Sequence, residues 1–272
     1  MPENVQNKIG DRSVFNFSVK AGNAEITEFN GGKLKISVPY TPMTSEKKNA
    51  IVAYYIDTAG NLKPVRGGYD AATGTVNFQT THFSNYAVGY NEVKFNDVSS
   101  ENWYSDAVDY LAARGIANGV GGSTFAPEKN VTRADFLMMV MNAYGIGTDT
   151  AITDNFLDAG NKYYTGYLGT ARKLGLVSGV DGNKFMPEAM ISREDMSVIL
   201  YNILKQLDEL PTGKNGKGYE NFVDAAVVAG YAKDAMKLLV DTGWITGNGN
   251  ELDPKASATR AQVAQIVYNC IK

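Results

Sequence analysis

The chain has 272 residues, of which 44% are hydrophobic and 20% are charged, with a formal net charge of −3. This length is sufficient for two domains with separate cores. The sequence contains no basic run that would indicate nucleic-acid binding. It also has no apolar stretch of about 18 residues that would indicate a membrane span. The single cysteine, Cys270, excludes an intrachain disulfide and a cysteine-based metal site, so we expect a small buried apolar residue there.

Residues 1–91 are predicted to form an antiparallel β-sandwich of about seven strands, because short runs of alternating apolar residues are separated by turn residues. A strand is expected to end at the Pro39-Tyr40-Thr41-Pro42 segment, since proline cannot donate to a central ladder. The alternating residues are Phe15, Phe17, Val19, Leu34, Ile36, Val38, Ile51, Ala53, Tyr55, Val76, Phe78, Tyr86 and Val88. The predicted turns contain Gly31-Gly32, Gly60-Asn61, Gly67-Gly68 and Gly74, with Asn30, Asp57 and Asp70 nearby.

One chemical possibility lies in this β-rich segment. His82 is the only histidine, and His82-Phe83-Ser84 is similar to the cleavage motif of self-processing domains in some eukaryotic receptors. In such a reaction the serine hydroxyl attacks the preceding carbonyl with help from a nearby base. The alternative is a structural strand entry, with Phe83 and Tyr86 in the core. The junction near 90–94 is short, so the two predicted domains are expected to lack a long flexible tether.

The rest of the chain contains one sequence unit three times. In each copy a proline precedes an arginine by six residues, and a serine or threonine stands directly before the arginine. The arginines are 60 and then 67 residues apart, at 133, 193 and 260. The three segments are Pro127…Thr132-Arg133-Ala134-Asp135, Pro187…Ser192-Arg193-Glu194-Asp195 and Pro254…Thr259-Arg260-Ala261-Gln262. Each serine or threonine is predicted to be the N-cap of a helix, with a near-match to a capping box.

Each copy is predicted to be a helix, a glycine-rich loop and a second helix. Each opens with Phe-x-Asp and an aromatic residue, and a glycine is expected to end the first helix with a positive φ. The second helices carry apolar residues at i, i+3, i+4 and i+7. The Phe-x-Asp residues are Phe95, Phe156 and Phe222 with Asp97, Asp158 and Asp224, and the aromatic residues are Trp103, Tyr163 and Tyr231. The glycines expected to end the first helices are Gly115, Gly175 and Gly243, and the loop glycines are Gly119, Gly179 and Gly247. The apolar stripes of the second helices begin at Phe136, Met196 and Val263. One copy cannot bury both of its stripes, so the copies are expected to pack together.

These motifs resemble the S-layer homology domain, whose Thr-Arg-Ala-Glu signature stands here as Thr-Arg-Ala-Asp, Ser-Arg-Glu-Asp and Thr-Arg-Ala-Gln. The resemblance implies three repeats, at 92–150, 151–213 and 214–272, in a pseudo-threefold all-α bundle. With the β domain at 1–91, the fold class is a two-domain α+β protein. The resemblance also implies anchoring of an extracellular protein to secondary cell-wall polysaccharide, often bearing pyruvate ketals, in grooves between repeats. The third copy departs most, with Gln262 and a loop one residue shorter (247–254 against 119–127 and 179–187).

Carried over position by position, the resemblance assigns ligand binding to the signature arginines Arg133, Arg193 and Arg260. An arginine at a helix start would lie beside free backbone N–H groups, which favour an anion such as the carboxylate of a pyruvate ketal. The alternative is a structural ion pair with Asp97, Asp158 or Asp224. Those aspartates are also candidates for caps of the first helix or for sugar contacts. Trp103, Tyr163 and Tyr231 are candidates for sugar stacking or for the core, and Gly119, Gly179 and Gly247 for close ligand approach or for plain loop turns.

The partners expected from the resemblance are the cell-wall polysaccharide and other copies of an S-layer protein, and the expected location is the bacterial cell wall. No signal peptide is recognisable, so the polar start at Met1 is interpreted as the start of a fragment of a longer secreted protein. No enzymatic activity, cofactor or metal is predicted; Asp-Gly-Asn at 181–183 is too short for a calcium loop. Two alternatives stay open: a lattice-forming or protein-interaction module, and an accessory part of a carbohydrate-active enzyme. The β domain resembles the small β domain that often precedes such repeats.

Overall fold

A computed structural model describes residues 5, 9–26, 29, 32–149 and 151–272. The predicted turn residues Asn30 and Gly31 and the start at Met1 lie outside these described residues. The chain divides into two compact units: Met1–Phe125 with Ile271–Lys272, and Ala126–Cys270. The first unit therefore extends past the predicted domain boundary at residue 91 and includes the first helix of the first repeat.

The β-rich part contains antiparallel strands, as the alternating pattern predicts. One sheet has the order β1-β9-β5-β6, another has the order β4-β8-β7, and β2 and β3 form a separate pair. Strand β4 ends at Pro39, which confirms the strand end predicted there. The strands are β1 (Val14–Asn16), β2 (Val19–Ala21), β3 (Ala24–Ile26), β4 (Leu34–Pro39), β5 (Ile51–Ile56), β6 (Leu62–Pro64), β7 (Gly67–Asp70), β8 (Thr75–Thr80) and β9 (Asn85–Tyr90).

The two larger sheets share one apolar core. Alternate residues of β4 and β8 meet alternate residues of β5 and β9, so the side chains that face inward follow the period-2 pattern. Val19 and Leu34 of that pattern are instead 45% and 37% exposed. Phe15, Phe17 and Tyr55 pack against the edge of this cluster and are partly buried. The fully buried members are Ile36, Val38, Ile51, Ala53, Val76, Phe78, Tyr86 and Val88.

Strand β5 is buried on both faces, which the alternating pattern does not predict. Its second face presents Val52 and Tyr54, which pack with Ala113 near the end of helix α1 (Ser105–Ala113). The sequence carries a signal for this arrangement, because 51–56 reads as a continuous apolar run and such runs indicate strands covered on both sides. The first repeat therefore begins with a helix that packs on the β-sheet.

The prediction of a turn at Gly67-Gly68 is wrong, because both residues lie within strand β7. Gly67 has a φ of +138°, and a Cβ atom at this position would lie 2.0 Å from the carbonyl oxygen of Asn77. The glycine therefore permits a close approach to the neighbouring strand β8. The turns predicted at Gly60 and Gly74 are confirmed, since both have positive φ angles beside Asp57 and Asp70, whose carboxylates accept backbone N–H groups.

The remaining helices match the predicted repeat unit. Each second helix buries its predicted apolar stripe, including Cys270, which is 4% exposed. The first helices end two residues before Gly115, Gly175 and Gly243, whose φ angles are +67°, +68° and +81°, so the positive φ predicted there is confirmed. The helices are α2 (Arg133–Ala143), α3 (Thr165–Lys173), α4 (Arg193–Gln206), α5 (Lys233–Asp241) and α6 (Arg260–Ile271). Among the described residues, no helix is both long and apolar enough to cross a bilayer.

Candidate functional site

The second helices of the three repeats begin beside a closed ring of backbone hydrogen bonds. The amide of Val131 donates to the carbonyl of Ala258 (3.0 Å), that of Ala258 to Ile191 (2.9 Å), and that of Ile191 to Val131 (2.9 Å). All three residues are at most 1% exposed. Each repeat thus gives one bond and receives one at the point where its second helix starts.

The helix starts are capped as predicted. The hydroxyls of Thr132 and Ser192 accept the amides of Asp135 and Asp195, each at 3.1 Å. In the third repeat the capping box is reciprocal, because the Gln262 side chain also accepts the amide of Thr259 at 3.1 Å. Gln262 is one methylene longer than the aspartates of the other copies, and this length lets it reach back.

The expectation of free backbone N–H groups at these helix starts is wrong. The amides of Arg133 and Ala134 donate to the carbonyls of Ala189 and Pro187, which lie in the loop of the second repeat. The same pattern recurs cyclically: Arg193 and Glu194 donate to Ala256 and Pro254, and Arg260 and Ala261 donate to Lys129 and Pro127. Because neighbouring repeats already use these donors, anion binding at the helix starts depends on side chains.

The Phe-x-Asp aspartates organise the glycine-rich loops. The Asp158 carboxylate accepts the amides of Phe185 and Met186, and the Asp224 carboxylate accepts those of Leu252 and Asp253, all at 2.8 Å. Asp97 accepts the amide of Phe125 at 2.8 Å. The prediction that these aspartates cap the first helices is wrong, because the N-cap positions there are Tyr104, Tyr164 and Ala232.

The signature arginines of the first two repeats are buried. Arg133 is 8% exposed; its Nε donates to the carbonyl of Phe185 (2.9 Å) and its Nη1 pairs with Asp195 (3.0 Å). Arg193 is 7% exposed, and its Nε donates to the carbonyl of Leu252 (2.6 Å). Burial lowers the pKa of Arg193, which the carboxylates of Asp253 and Asp224 partly counteract. The ion pair of Arg133 is thus with Asp195 at the start of the next repeat's second helix, not with Asp158.

The aspartates of the first helical turn, Asp135 and Asp195, bind the aromatic residue of the following repeat. The hydroxyl of Tyr163 donates to Asp135 (2.8 Å), and that of Tyr231 donates to Asp195 (2.7 Å). Desolvation and the bond to Asp135 raise the pKa of Tyr163 to about 12. We call the set Arg133, Asp135, Tyr163 and Phe185 the first junction. The set Arg193, Glu194, Asp195, Tyr231, Leu252 and Lys255 is the second junction.

The aromatic residues that precede the first helices are at the surface. Trp103, Tyr163 and Tyr231 are 62%, 65% and 65% exposed, so a core role for them is wrong. The residue that follows each of them is buried instead: Tyr104, Tyr164 and Ala232. The exposed rings are each held from one side: Tyr163 and Tyr231 by their hydroxyl bonds to Asp135 and Asp195, and Trp103 by an edge contact with Tyr104.

The loop glycines pack against the phenylalanine of the Phe-x-Asp motif in their own repeat. A Cβ atom at Gly119 would lie 2.8 Å from the ring of Phe95, and one at Gly179 would lie 3.2 Å from the ring of Phe156. At Gly247 the distance to the ring of Phe222 would be 2.5 Å. This contact accounts for glycine at the three positions, and close approach of their backbone to a ligand stays a prediction.

The second junction contains a buried carboxylate that the sequence analysis did not assign. Glu194 is 3% exposed and accepts the amide of Ala229 (3.0 Å), the Nζ of Lys255 (2.5 Å) and a longer contact from the Tyr231 hydroxyl (3.1 Å). At the first junction the charged pair is placed differently: Lys162 binds Glu188, which also accepts the hydroxyl of Tyr164. A sequence signal existed, because Glu194 and Lys255 break the pattern of the other copies.

The remaining candidates are Trp103, Arg260 and His82. Trp103 belongs to the first compact unit and Arg260 to the second. The ring nitrogen Nδ1 of His82 lies 3.0 Å from the Thr80 hydroxyl and 3.1 Å from that of Tyr86, and these contacts do not place a base on Ser84. In the part of the chain that the structure describes, no group of His, Cys, Asp and Glu side chains is suited to hold a metal ion.

Comparison with known protein families decides the identity of the helical part. The S-layer homology domain matches three segments, at residues 94–137, 155–197 and 221–264. Residues 94–264 are three S-layer homology domains. The recognition made from the signature motif is therefore confirmed, and membership indicates a cell-surface, cell-wall-associated protein.

Relatives fall into two groups by their names. The chain is 30% identical over 64% of its length to the S-layer protein sap of Bacillus anthracis, covering 20% of that protein. It is 31% identical over 66% of its length to the exoglucanase XynX of Acetivibrio thermocellus, covering 16%. It is 28% identical over 99% of its length to an amylopullulanase of Thermoanaerobacterium thermosulfurigenes, covering 14%. The chain thus spans a fifth or less of these relatives, and the last similarity includes the β domain.

Proposed function

We propose that this chain anchors a surface protein to the bacterial cell wall by binding secondary cell-wall polysaccharide at the junctions between S-layer homology domains. Three copies of the domain, together with similarity to both an S-layer protein and an exoglucanase, support a shared anchoring role. The observation that carries the proposal is the recurrence of an exposed aromatic ring at one position in all three copies. Exposed rings on a rigid scaffold are suited to stack on sugar faces.

The proposed ligand is anionic, with pyruvate ketals as the acidic group. At both junctions the tyrosine hydroxyl donates to an aspartate, and each junction also contains a buried arginine. Arg133 and Arg193 are buried and already bonded. We therefore assign them a structural role, in which they hold the neighbouring side chains in place and add positive charge below the surface. The aromatic rings and the exposed lysines Lys162 and Lys255 then make the direct contacts with the ligand. For Arg260, Asp97, Asp158, Asp224 and the three loop glycines, ligand contact stays a proposal without a described contact in its favour.

We also propose that the three domains are arranged with pseudo-threefold symmetry. The ring formed by Val131, Ile191 and Ala258, and the cyclic pairing of helix starts with the loops of neighbouring repeats, support it. Such an arrangement gives equivalent junctions, so one chain would offer more than one site and bind by avidity.

A pull-down on purified wall glycan tests the anchoring proposal. Replacing Tyr163 and Tyr231 together by alanine should weaken binding by roughly thirtyfold, because each lost stacking contact is worth about 1 kcal/mol. Mild acid treatment that removes pyruvate from the glycan should weaken wild-type binding as well. The matched control is Leu157→Ala, which removes another apolar side chain, 74% exposed, from the second repeat. Binding that survives both the double substitution and the acid treatment would refute the proposed contacts.

A second function has support in the β domain. Val14, Val19 and Leu34 are 40%, 45% and 37% exposed, and they lie on strands β1, β2 and β4. Apolar side chains on edge strands favour contact with another protein surface. We therefore propose contacts between copies of a surface protein as an additional role, which sedimentation at increasing protein concentration tests.

No catalysis is assigned to the chain. The aspartates at equivalent repeat positions hold loop amides, whereas a glycosidase requires a particular pair of carboxylates across a cleft. The glycosidase relatives share with this chain a segment that is 14% or 16% of their length. We infer that the chain supplies attachment, and that any catalytic activity of such a protein belongs to other segments.

A further inference from the structure

The second junction holds a carboxylate in a set of donors that belongs to a different repeat from the carboxylate itself. Glu194 comes from the start of helix α4 in the second repeat, while Ala229, Tyr231 and Lys255 come from the third. The oxygen Oε2 accepts the amide of Ala229 at 3.0 Å, and Oε1 accepts Nζ of Lys255 at 2.5 Å. The hydroxyl of Tyr231 shares its one proton between Asp195 at 2.7 Å and Glu194 at 3.1 Å.

Glu194 is a feature of one copy. The position after the signature arginine is alanine in the first and third repeats, Ala134 and Ala261. Ala134 and Ala261 are at most 1% exposed, so the local helix start forms without a carboxylate in both other copies. The charged side chain is therefore not needed for the S-layer homology fold at this position, and its three-sided coordination requires another explanation.

The chemistry of the donors is that of a carboxylate receptor. A backbone N–H gives a directional bond, an ammonium group gives charge, and a phenol gives a shared hydrogen bond. The carboxylate is buried, but two of its partners reach the surface, since Tyr231 is 65% exposed and the Lys255 side chain is 56% exposed. Two of the three donor residues are thus accessible to solvent, one of them carrying the ring that is proposed to stack on sugar.

We propose that the Ala229 amide, the Lys255 ammonium and the Tyr231 hydroxyl form a carboxylate-binding site that the chain fills with its own Glu194. An external carboxylate of a ligand competes there with an internal one. The second junction is therefore weaker for anionic ligands than the same donors would be alone. Identification of the natural competitor as an acidic wall sugar rests on the proposed function, whereas the existence of the pocket does not.

Substitution of Glu194 by alanine, the residue of the other two repeats, should empty the pocket and let acetate enter. The probe is sodium acetate titrated into the full-length ¹⁵N-labelled variant, with the amide resonance of Ala229 as the readout. We expect a saturable shift and an affinity at least about tenfold higher than for wild type, because one charge-assisted hydrogen bond is worth a factor of that size. Acetate should also raise the Tm of the variant, since it restores the lost interactions.

Two controls make the outcome specific. Acetamide has the shape of acetate without its charge and should not reproduce the shift. Adding Lys255→Met to Glu194→Ala should abolish acetate binding. A folded variant that shows no saturable shift at Ala229, or shows the same shift with acetamide, overturns the pocket.

If Glu194→Ala does not fold, a second variant tests whether the pocket exists. Glu194→Gln keeps the shape of the side chain but releases Lys255 from its ion pair, so it should bind a glycoside bearing a pyruvate ketal more tightly than wild type. Affinity of the variant that equals the wild-type value overturns the pocket and leaves wall binding intact. Absence of ketal binding by both proteins overturns the proposed function, and the acetate titration then decides whether the pocket exists.

Discussion

The loop glycines illustrate how a single residue fixes the geometry of a repeat. Gly247 has a φ of +70°, and its missing Cβ makes room for the ring of Phe222 and for the carbonyl oxygen of Glu251. Gly249, two residues later, has a φ of +59°, and no described heavy atom lies within 4 Å of the place where its Cβ would stand. The two positions share the same backbone constraint and differ in the space around them.

Substitution of these two glycines by alanine separates the two effects. Gly249→Ala should destabilise by about 1–2 kcal/mol, the cost of a left-handed backbone for an L-residue. Gly247→Ala should cost about 3 kcal/mol or more, because the added methyl group also overlaps the Phe222 ring and a fixed carbonyl. Urea unfolding monitored by circular dichroism measures both. Equal losses would show that the ring yields easily and that packing does not set the residue.

Residue-level prediction from the sequence succeeds where the cause is local. The N-caps at Thr132 and Ser192 and the positive φ of Gly115 depend on the residues beside them, and all were predictable. The role of Gly247 was not, because Phe222 lies far away in the chain and the contact is visible after folding. The burial of Arg133 escaped prediction for the same reason, since its ion-pair partner Asp195 belongs to another repeat.

At the level of elements, one buried arginine makes several of the hydrogen bonds between helix α1 and the β domain. Arg114 follows the last residue of α1 and is 6% exposed. Its Nη2 donates to the carbonyls of Ile51 and Gly67, each at 2.9 Å, and its Nη1 donates to that of Asn49 at 3.0 Å. The corresponding residues of the other copies are Leu174 and Thr242. Arg114 thus serves the contact with the sheet and not the repeat itself.

Replacing Arg114 by methionine should destabilise the protein by about 3 kcal/mol or more, because several buried carbonyls lose their donor at once. The control is Arg172→Met. Arg172 donates to the carbonyl of Asn155 from a side chain that is 28% exposed, and its loss should cost about 1 kcal/mol. Thermal unfolding of the two variants gives the comparison. A loss of stability for Arg114→Met that is no larger than for Arg172→Met would mean that the bonds from Arg114 to the β domain contribute little.

The sequence predicted the elements better than their partners. The second helices, their stripes and the antiparallel strands follow from periods of 3.6 and 2. The packing of α1 on strand β5 could have been predicted if residues 51–56 had been recognised as a strand that is covered on both faces. The continuous apolar run was the available signal, and Arg114, present in one copy of three, was the other.

At the scale of whole compact units, the ring of Val131, Ile191 and Ala258 makes the three repeats interdependent. Each amide is buried and donates to the next repeat, so no member can exchange its proton without opening a contact between two repeats. The amide of Val223 offers a contrast. It donates to Asn250 within the third repeat at 3.0 Å, and the residue is 74% exposed.

Native-state hydrogen exchange should therefore report a single opening free energy for Val131, Ile191 and Ala258, within about 0.5 kcal/mol. Ile191→Ala leaves a cavity at a residue that is 0% exposed and should lower all three protection values by about 3 kcal/mol. Protection of the Val223 amide should hardly change, because local opening of its loop governs its exchange. A loss confined to Ile191, with Val131 and Ala258 unaffected, would show that the repeats open one at a time. Equal losses of protection at all three amides would show that the ring opens as one unit. Both junctions would then depend on the ring, because the arginines and tyrosines of one repeat bond to residues of a neighbouring repeat.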